Sequence, residues 1–376
     1  MPERTPLFDR HRALGGRMVD FAGWEMPQQY TSVREEHAAV RGAAGLFDVS
    51  HMGRVAFAGR AAAELLRELV TNDVGSLAPG HAQYNLLCNE QGGILDDLVV
   101  YRLPDGSWSA VVNASNREPD VAWMQAHAGA GAEVLDRSAE TALLALQGPR
   151  AEAVLAVVAP AADLSALPYF GVTEAELAGA QGVGISRTGY TGEDGFELFV
   201  PADRVAGVWD AILEAGAGQG VLPAGLAARD VCRLEAGLRL YGNDMDERTN
   251  PYQAGLGWTV KLDKGEFIGR AALAGFRAAG PDRVLVGIRC GERVIPRHGA
   301  RVRLAGEEIG EVTSGTHSFF LGAGIGMASV AAGRAPVGAQ VEIEGRGAGG
   351  LAEVVKLPFY RGSVKSAVTG AAKQAG

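Results

Sequence analysis

Cysteine is scarce in this 376-residue sequence and forms no paired pattern. The three cysteines, Cys88, Cys232 and Cys290, are odd in number, far apart and without CxxC spacing. A disulfide frame is excluded, and reduced core thiols in a cytoplasmic setting are expected. No apolar run approaches the roughly 20 residues of a membrane span, so no membrane association is expected. Residues 1–16 are charged throughout and lack an apolar core, so no secretory signal is expected. The seven histidines are scattered, with no HxxxH or HExxH, so no metal site is expected. Positive charge is not in excess: 35 Lys+Arg against 44 Asp+Glu leave a formal net charge of −9. The sequence therefore lacks the basic footprint of a nucleic-acid binder. No short-period repeat is visible, which argues against solenoids and propellers.

What the sequence has is apolar residues and glycine. At 47% hydrophobic it can bury a large core, and its length fits two or three domains. Glycine, at 53 residues, is present at roughly double ordinary usage. It has no G-X-Y period, so it belongs in turns, bulges and close backbone approaches. The spacing of Val205, Val208, Trp209, Ile212 and Leu213 predicts a helix over 203–215. A second helix is predicted from Arg60 to about Thr71. Strands are predicted over 95–103, 142–146, 195–200, 284–289 and 339–344, interleaved with helices, so the class is α+β or α/β. Residues 272–282, ALAGFRAAGPD, read as a linker. Beyond it, short strands separated by glycine turns predict a small antiparallel β-barrel or sandwich of about 80 residues.

Three stretches carry candidate chemistry. In GGILDDLVVYRL, alternation puts Leu95, Asp97, Val99 and Tyr101 on one face and Ile94, Asp96, Leu98 and Val100 on the other. The two carboxylates point apart and cannot share a proton. Each sits in an apolar row, as a paired strand-start residue or as a cavity-facing acceptor with raised pKa. In SRTGYTGEDGFELFVP a glycine-rich turn leads into a strand with Phe196, Leu198 and Val200 on one face and Glu197 and Phe199 on the other. A carboxylate beside an aromatic suits a flat heterocycle bearing N–H donors; a solvated edge strand is the alternative. In GLAARDVCRLEAGLRLYGNDMDE, Arg229 and Arg233 lie one helical turn apart. An arginine fork suits a carboxylate or ring carbonyl, and an internal ion pair with Asp230 or Glu235 is its competitor. LGAGIGMAS has GxGxG rather than GxGxxG, with no room for a following helix, and reads as a β-turn rather than a nucleotide loop.

Taken together these stretches resemble the T-protein family of the glycine cleavage system, the tetrahydrofolate-dependent aminomethyltransferases. TPLFDRHRALGGRMVDFAGWEMP, FDVSHMG, AGLGWTVKLDKGEFIGR, VTSGTHS and KLPFY carry the resemblance further, over nearly the whole chain. The resemblance implies an α+β cloverleaf of three lobes around a central channel. Residues 1–272 would form a folate-binding region of two lobes, the second inserted at roughly 52–140. Residues 283–362 would form the C-terminal barrel, and 363–376 a flexible tail. The implied reaction passes an aminomethyl group from the dihydrolipoyl arm of a lipoylated H-protein to tetrahydrofolate as acceptor substrate, with no metal and no nucleotide. Asp97 matches the catalytic acid, Glu197 the pterin-binding glutamate and Arg229 the folate-anchoring arginine. Tyr360 matches a C-terminal contact, and Tyr84, Met52, Tyr101, Asn113 and Trp258 are expected to line the pocket. Gln253 and the segment SFFLGAGIG depart from the family pattern. The alternatives are a folate-dependent demethylase on the same fold, or a non-catalytic folate-binding or iron–sulfur maintenance protein. ARDVCRLEAG replaces the KGCYxGQE-type motif of that last group. The amine oxidases of this fold carry a flavin-binding Rossmann domain with its GxGxxG in the same chain, and no N-terminal GxGxxG is present here.

Overall fold

Alternation in apolar side chains builds two sheets that each cover one face with helices. The computed structural model describes residues 2–291, 293–344 and 349–364. The first sheet has five strands, in the order His81–Cys88, Ile94–Arg102, Trp108–Val112, Gly53–Ala58 and Glu133–Asp136. Its inner face, with Val55, Phe57, Leu98 and Val100, packs against Leu65, Leu66, Leu69 and Met124 of the helices Ala62–Leu69 and Arg117–His127. The second sheet has six strands: Val172–Leu177, Ala180–Ser186, Gly195–Pro201, Thr141–Gln147, Ala44–Asp48 and Val221–Pro223. There Leu144, Leu146, Phe196 and Leu198 meet Trp209 and Ile212 of the helix Val205–Gly216. Full burial of such side chains stabilises by about 1.5–3 kcal/mol each.

The other faces of the two sheets turn toward each other. Tyr101 and Val111 of the first sheet share one cluster with Phe47, Leu143 and Ala145 of the second. Ala228 and Cys232 of the helix Leu226–Glu235 complete it.

The last strands close a six-stranded antiparallel barrel: Arg283–Cys290, Ala323–Ala331, Glu307–Ser318, Arg301–Leu304, Gln340–Glu344 and Gly350–Val355. Antiparallel pairing of the first and last of these shuts it. The barrel docks on the same helix Leu226–Glu235. Leu234 packs on Ile325 and Met327, Arg233 Nη2 donates to Ser314 Oγ at 2.9 Å, and Ser318 donates to Glu235. The GAGIG segment is a turn running into a strand. A Cβ on Gly324 would lie 1.9 Å from the Val294 carbonyl, so that glycine serves close packing within the barrel.

Two expectations need correction. Residues 272–279 are not a linker but part of the helix Arg270–Ala279. Ala, Leu, Phe and Arg are all compatible with helix, Leu273 is fully buried against Ile94, Phe267 and Met245, and Gly280 ends the helix at φ +75°. Of the expected tail, 365–376 lie outside the described residues, but Ser363 is held. Its N–H and Oγ donate to Glu193 Oε2 at 2.9 and 2.7 Å. Gln253 binds locally: its Oε1 accepts from Asn250 N at 2.8 Å and its Nε2 donates to Asp282 Oδ1 at 2.7 Å.

Candidate active site

Opposed faces of the two sheets bring Asp97 and Glu197 into one region. The strand Ile94–Arg102 alternates as its sequence predicts: Asp96 is fully buried toward the helices, and Asp97 is half-buried on the interlobe face. The glycine turn before it is obligatory, because a Cβ on Gly93 would lie 1.9 Å from the Glu247 carbonyl. Glu197 and Phe199 face the same interlobe space from the strand Gly195–Pro201, while Phe196, Leu198 and Val200 are fully buried behind them. Tyr101 joins the two sides. Its ring meets Phe199 edge-on at 5.2 Å, and its hydroxyl lies 3.5 Å from Glu197 Oε2.

Asp97 is held by two donors. Tyr84 donates to Oδ2 at 2.9 Å and Asn113 Nδ2 to Oδ1 at 2.9 Å. Burial, then the neighbouring charge of Asp96, pushes its carboxyl up from 3.8 to about 7. That value poises it to take and return a proton near neutral pH. Asn113 also reaches Asp96, donating from Nδ2 at 2.8 Å and from its backbone N–H at 2.9 Å. Burial and Asp97 raise the Tyr84 hydroxyl, which stays a neutral donor. Trp258 stacks on Tyr84 at 5.9 Å and 24° and is 57% exposed, so it marks an open edge of the site.

Glu197 accepts from Thr188 through Oε2, and among the described residues Oε1 accepts nothing. Arg229 projects from the helix Leu226–Glu235 with its guanidinium 4.7 Å above the Tyr190 ring. Burial lowers its pKa, and the charge of Glu197 opposes that shift. Its Nη1 is buried and has no partner among the described residues. The competing internal ion pair is taken instead by Arg233, which binds Asp230 at 2.8 Å and Asp244 at 2.7 Å. A buried, unpaired N–H on a cation costs free energy unless a ligand fills it. Asp97, Glu197 and Arg229 all keep partial exposure, and they are electrostatic neighbours: Arg229 feels Glu197 directly, and Tyr190 feels both Asp97 and Arg229.

The remaining predicted residues fall in two places. Met52 is half-buried in the interlobe cluster with Tyr101. Tyr360 lies apart: Arg41 sits 4.3 Å over its ring, Phe320 meets it edge-on at 4.7 Å, and its N–H donates to the Glu235 carbonyl. No contact among the described residues links Tyr360 to Asp97. Burial and the Glu193 carboxylate push the Tyr360 hydroxyl up to about 12.

Sequence reasoning missed Tyr190, whose ring carries Arg229 and whose hydroxyl donates to the Arg239 carbonyl. It also missed Gln147, which braces the TGYTGED turn by donating to the Thr188 carbonyl and accepting from Thr191. A Cβ on Gly189 would lie 1.9 Å from that amide, so the glycine-rich turn was the available signal. Two surface hollows, of about 600 and 390 Å³, lie elsewhere, beside Arg67 and Lys264 and beside Gln91 and Phe276. Neither includes a residue of this site.

An α+β body with a C-terminal six-stranded barrel thus carries, between its two larger sheets, a raised carboxyl and an arginine with a buried unpaired N–H, groups able to exchange a proton and to hold an anionic or carbonyl oxygen. Comparisons with known proteins agree. Residues 7–264 match the GCVT N-terminal domain, and 283–361 the glycine cleavage T-protein C-terminal barrel domain. An aminomethyltransferase of Symbiobacterium thermophilum is 50% identical over 365 residues, covering 96% of this chain and 97% of the relative. One from Bacillus subtilis is 44% identical, covering 96% and 100%. The crystal structure of glycine cleavage system aminomethyltransferase T from Bartonella henselae superposes with a TM-score of 0.90 at 36% identity, covering 97% of this chain and 99% of that one. The chain belongs to the glycine cleavage T-protein family of aminomethyltransferases.

Proposed function

We propose that the interlobe pocket binds tetrahydrofolate and transfers to it an aminomethyl group carried on the dihydrolipoyl sulfur of a lipoylated H-protein. One observation carries this: a raised carboxyl, a carboxylate with an open acceptor and an arginine with an open donor are electrostatic neighbours. The free oxygen of Glu197 accepts from ring N–H donors of the pterin, with Phe199 beside the ring and the buried Tyr101, expected from the sequence to line the pocket, backing Phe199 instead. Arg229 supplies its free N–H to an anionic or carbonyl oxygen of the folate. Asp97 accepts from a folate N–H and holds that nitrogen against the aminomethyl carbon, so that much of the rate comes from positioning.

The balance is complete without another reactant. Two folate nitrogens each lose a proton and gain a bond to the same carbon. That carbon loses its bonds to nitrogen and sulfur, and the two protons leave on ammonia and on the thiol of the reduced arm. Asp97, near pH 7, can carry one of these protons between the groups. Met52, Tyr84, Asn113 and Trp258 serve as pocket lining in this reading, and Tyr360 as a more distant C-terminal contact. The three thiols are free and buried, which supports a reducing cytoplasmic setting. Among the described residues no helix is long and apolar enough to cross a membrane. We also propose the division of labour expected from the sequence, a two-lobed folate region over 1–272 and a barrel over 283–362.

The test is incubation with aminomethylated H-protein and tetrahydrofolate, scored for ammonia and 5,10-methylenetetrahydrofolate. Folate-dependent ammonia release is expected. Absence of ammonia with the H-protein donor, together with transfer of a methyl group from a methylated donor to the folate and release of the demethylated product, would instead establish the demethylase.

A further inference from the structure

Asp96 faces away from the pocket, yet it is not alone in the core. Asp120, on the helix Arg117–His127, is 3% exposed, and its carboxyl hydrogen-bonds to the fully buried Asp96. Two carboxyl groups in hydrogen-bonding contact away from water cannot both be ionised. Asp96 accepts three amide hydrogen bonds: Asn113 N at 2.9 Å, Asn113 Nδ2 at 2.8 Å and Asn116 Nδ2 at 2.9 Å. These favour its charged form. Asp120 has the opposite surroundings, because its Oδ2 is buried with no partner among the described residues. An ionised carboxylate there would leave bare charge in the core.

We propose that Asp120 is a positioning residue for Asp97: as a neutral acid it donates to Asp96, fixing Asp96 as the anion that anchors Asn113. Asn113 has two amide protons. Asp96 holds one, and the other is thereby aimed at Asp97 Oδ1. The chain of bonds is Asp120 to Asp96 to Asn113 to Asp97. It also sets the charge beside Asp97. The titratable groups that interact with Asp97 are the Tyr84 and Tyr190 hydroxyls, Asp96 and Asp120; Arg239 interacts with both tyrosines, and Arg229 sits over the Tyr190 ring. With Asp120 neutral, Asp96 is the one fixed anion among them. Burial raises both members of the pair, and the count of amide donors decides which keeps the proton.

The inference rests on Asp97 being the reacting carboxyl, and its test separates the two ideas. Wild type, Asp120→Asn and Asp120→Ala are compared by infrared difference spectroscopy across pH and by turnover. Wild type is expected to keep the carbonyl band of one protonated buried acid under mildly alkaline conditions, where Asp97 is ionised, and Asp120→Asn to lose it. The asparagine amide replaces the O–H donor, so turnover in Asp120→Asn stays within about threefold. Asp120→Ala removes one hydrogen bond and lowers kcat about tenfold, with an unchanged KM for tetrahydrofolate. In that variant Asp96 takes up a proton, and the Asp97 titration shifts to lower pH. Absence of the alkaline acid band overturns the proposal. So does equal damage from both variants, or wild-type behaviour in both. If Asp120→Ala does not fold, the band and Asp120→Asn still decide. If wild type shows no turnover, the reaction reading fails while the band and the Asp97 titration still report on the proton network.

Discussion

Replacing Asp97 by asparagine should make the protein more stable and abolish most of its turnover. The folded state holds this carboxyl at about 7, against 3.8 ordinarily. A group raised in this way contributes stability that is complete below 3.8 and is lost as pH rises to about 7, because the unfolded chain ionises first. At roughly 1.4 kcal/mol per unit the loss above neutrality is at most about 4 kcal/mol. Partial exposure of Asp97 reduces it, and the new amide must also be accommodated. Its oxygen can accept from Asn113, and its NH₂ can donate to a Tyr84 hydroxyl that turns to accept, a rearrangement costing about 1 kcal/mol. The net expectation is a gain of about 1–3 kcal/mol above neutral pH and little or none in mild acid. Thermal unfolding of both proteins across this range measures it: the gap in Tm should open as pH rises. Turnover should fall by roughly 10²–10⁴-fold, the usual scale for a lost acid–base group. A variant less stable than wild type at alkaline pH, or a gap independent of pH, would refute the argument that burial and Asp96 strain this carboxyl.

Other predictions use the rest of the site and its frame. Arg229→Ala should weaken tetrahydrofolate binding by about 1.5–3 kcal/mol, measured by calorimetry, with the fold intact because its Nη1 has no protein partner to lose; unchanged affinity would move the anchor elsewhere. Titration with tetrahydrofolate should change Trp258 emission, since the indole stacks on Tyr84 at the open edge, and Trp258→Phe should remove that change. Asp48 is fully buried in the core, bonded to His11 at 2.9 Å, and its pKa is lowered to about 2 as that bond and charge overcome burial. It contributes stability above 3.8 that is lost as pH falls toward 2. Asp48→Asn should therefore flatten the acid limb of the Tm–pH curve, and an unaltered limb would show that the pair is not what acid breaks.

Much of the site was legible because two-residue alternation is a local property. The opposed directions of Asp96 and Asp97, and of Glu197 and Leu198, follow from counting residues along a strand. The identity of the proton-sharing partner does not. Alternation forbids Asp96 and Asp97 from sharing a proton, and the actual partner, Asp120, comes from a helix packed across the sheet. Tyr190 was hidden for a similar reason: its ring matters because the helix Leu226–Glu235 lays Arg229 over it. Composition misled at 272–279, where small residues read as a linker. Leu273 has a buried docking site among residues distant in sequence, and that contact stabilises the helix.

The helix Leu226–Glu235 serves two masters along its ten residues. Its first turns present Arg229 to the pocket, and its last turns carry Arg233, Leu234 and Glu235 into the barrel. A rigid rod of this length cannot tilt at one end alone. Glu36 accepts from the Gly225 N–H at one end and His37 and Arg41 bind Glu235 at the other, so the body clamps both ends of the rod. The barrel seam and the arginine over Tyr190 therefore share one stiff, doubly anchored element.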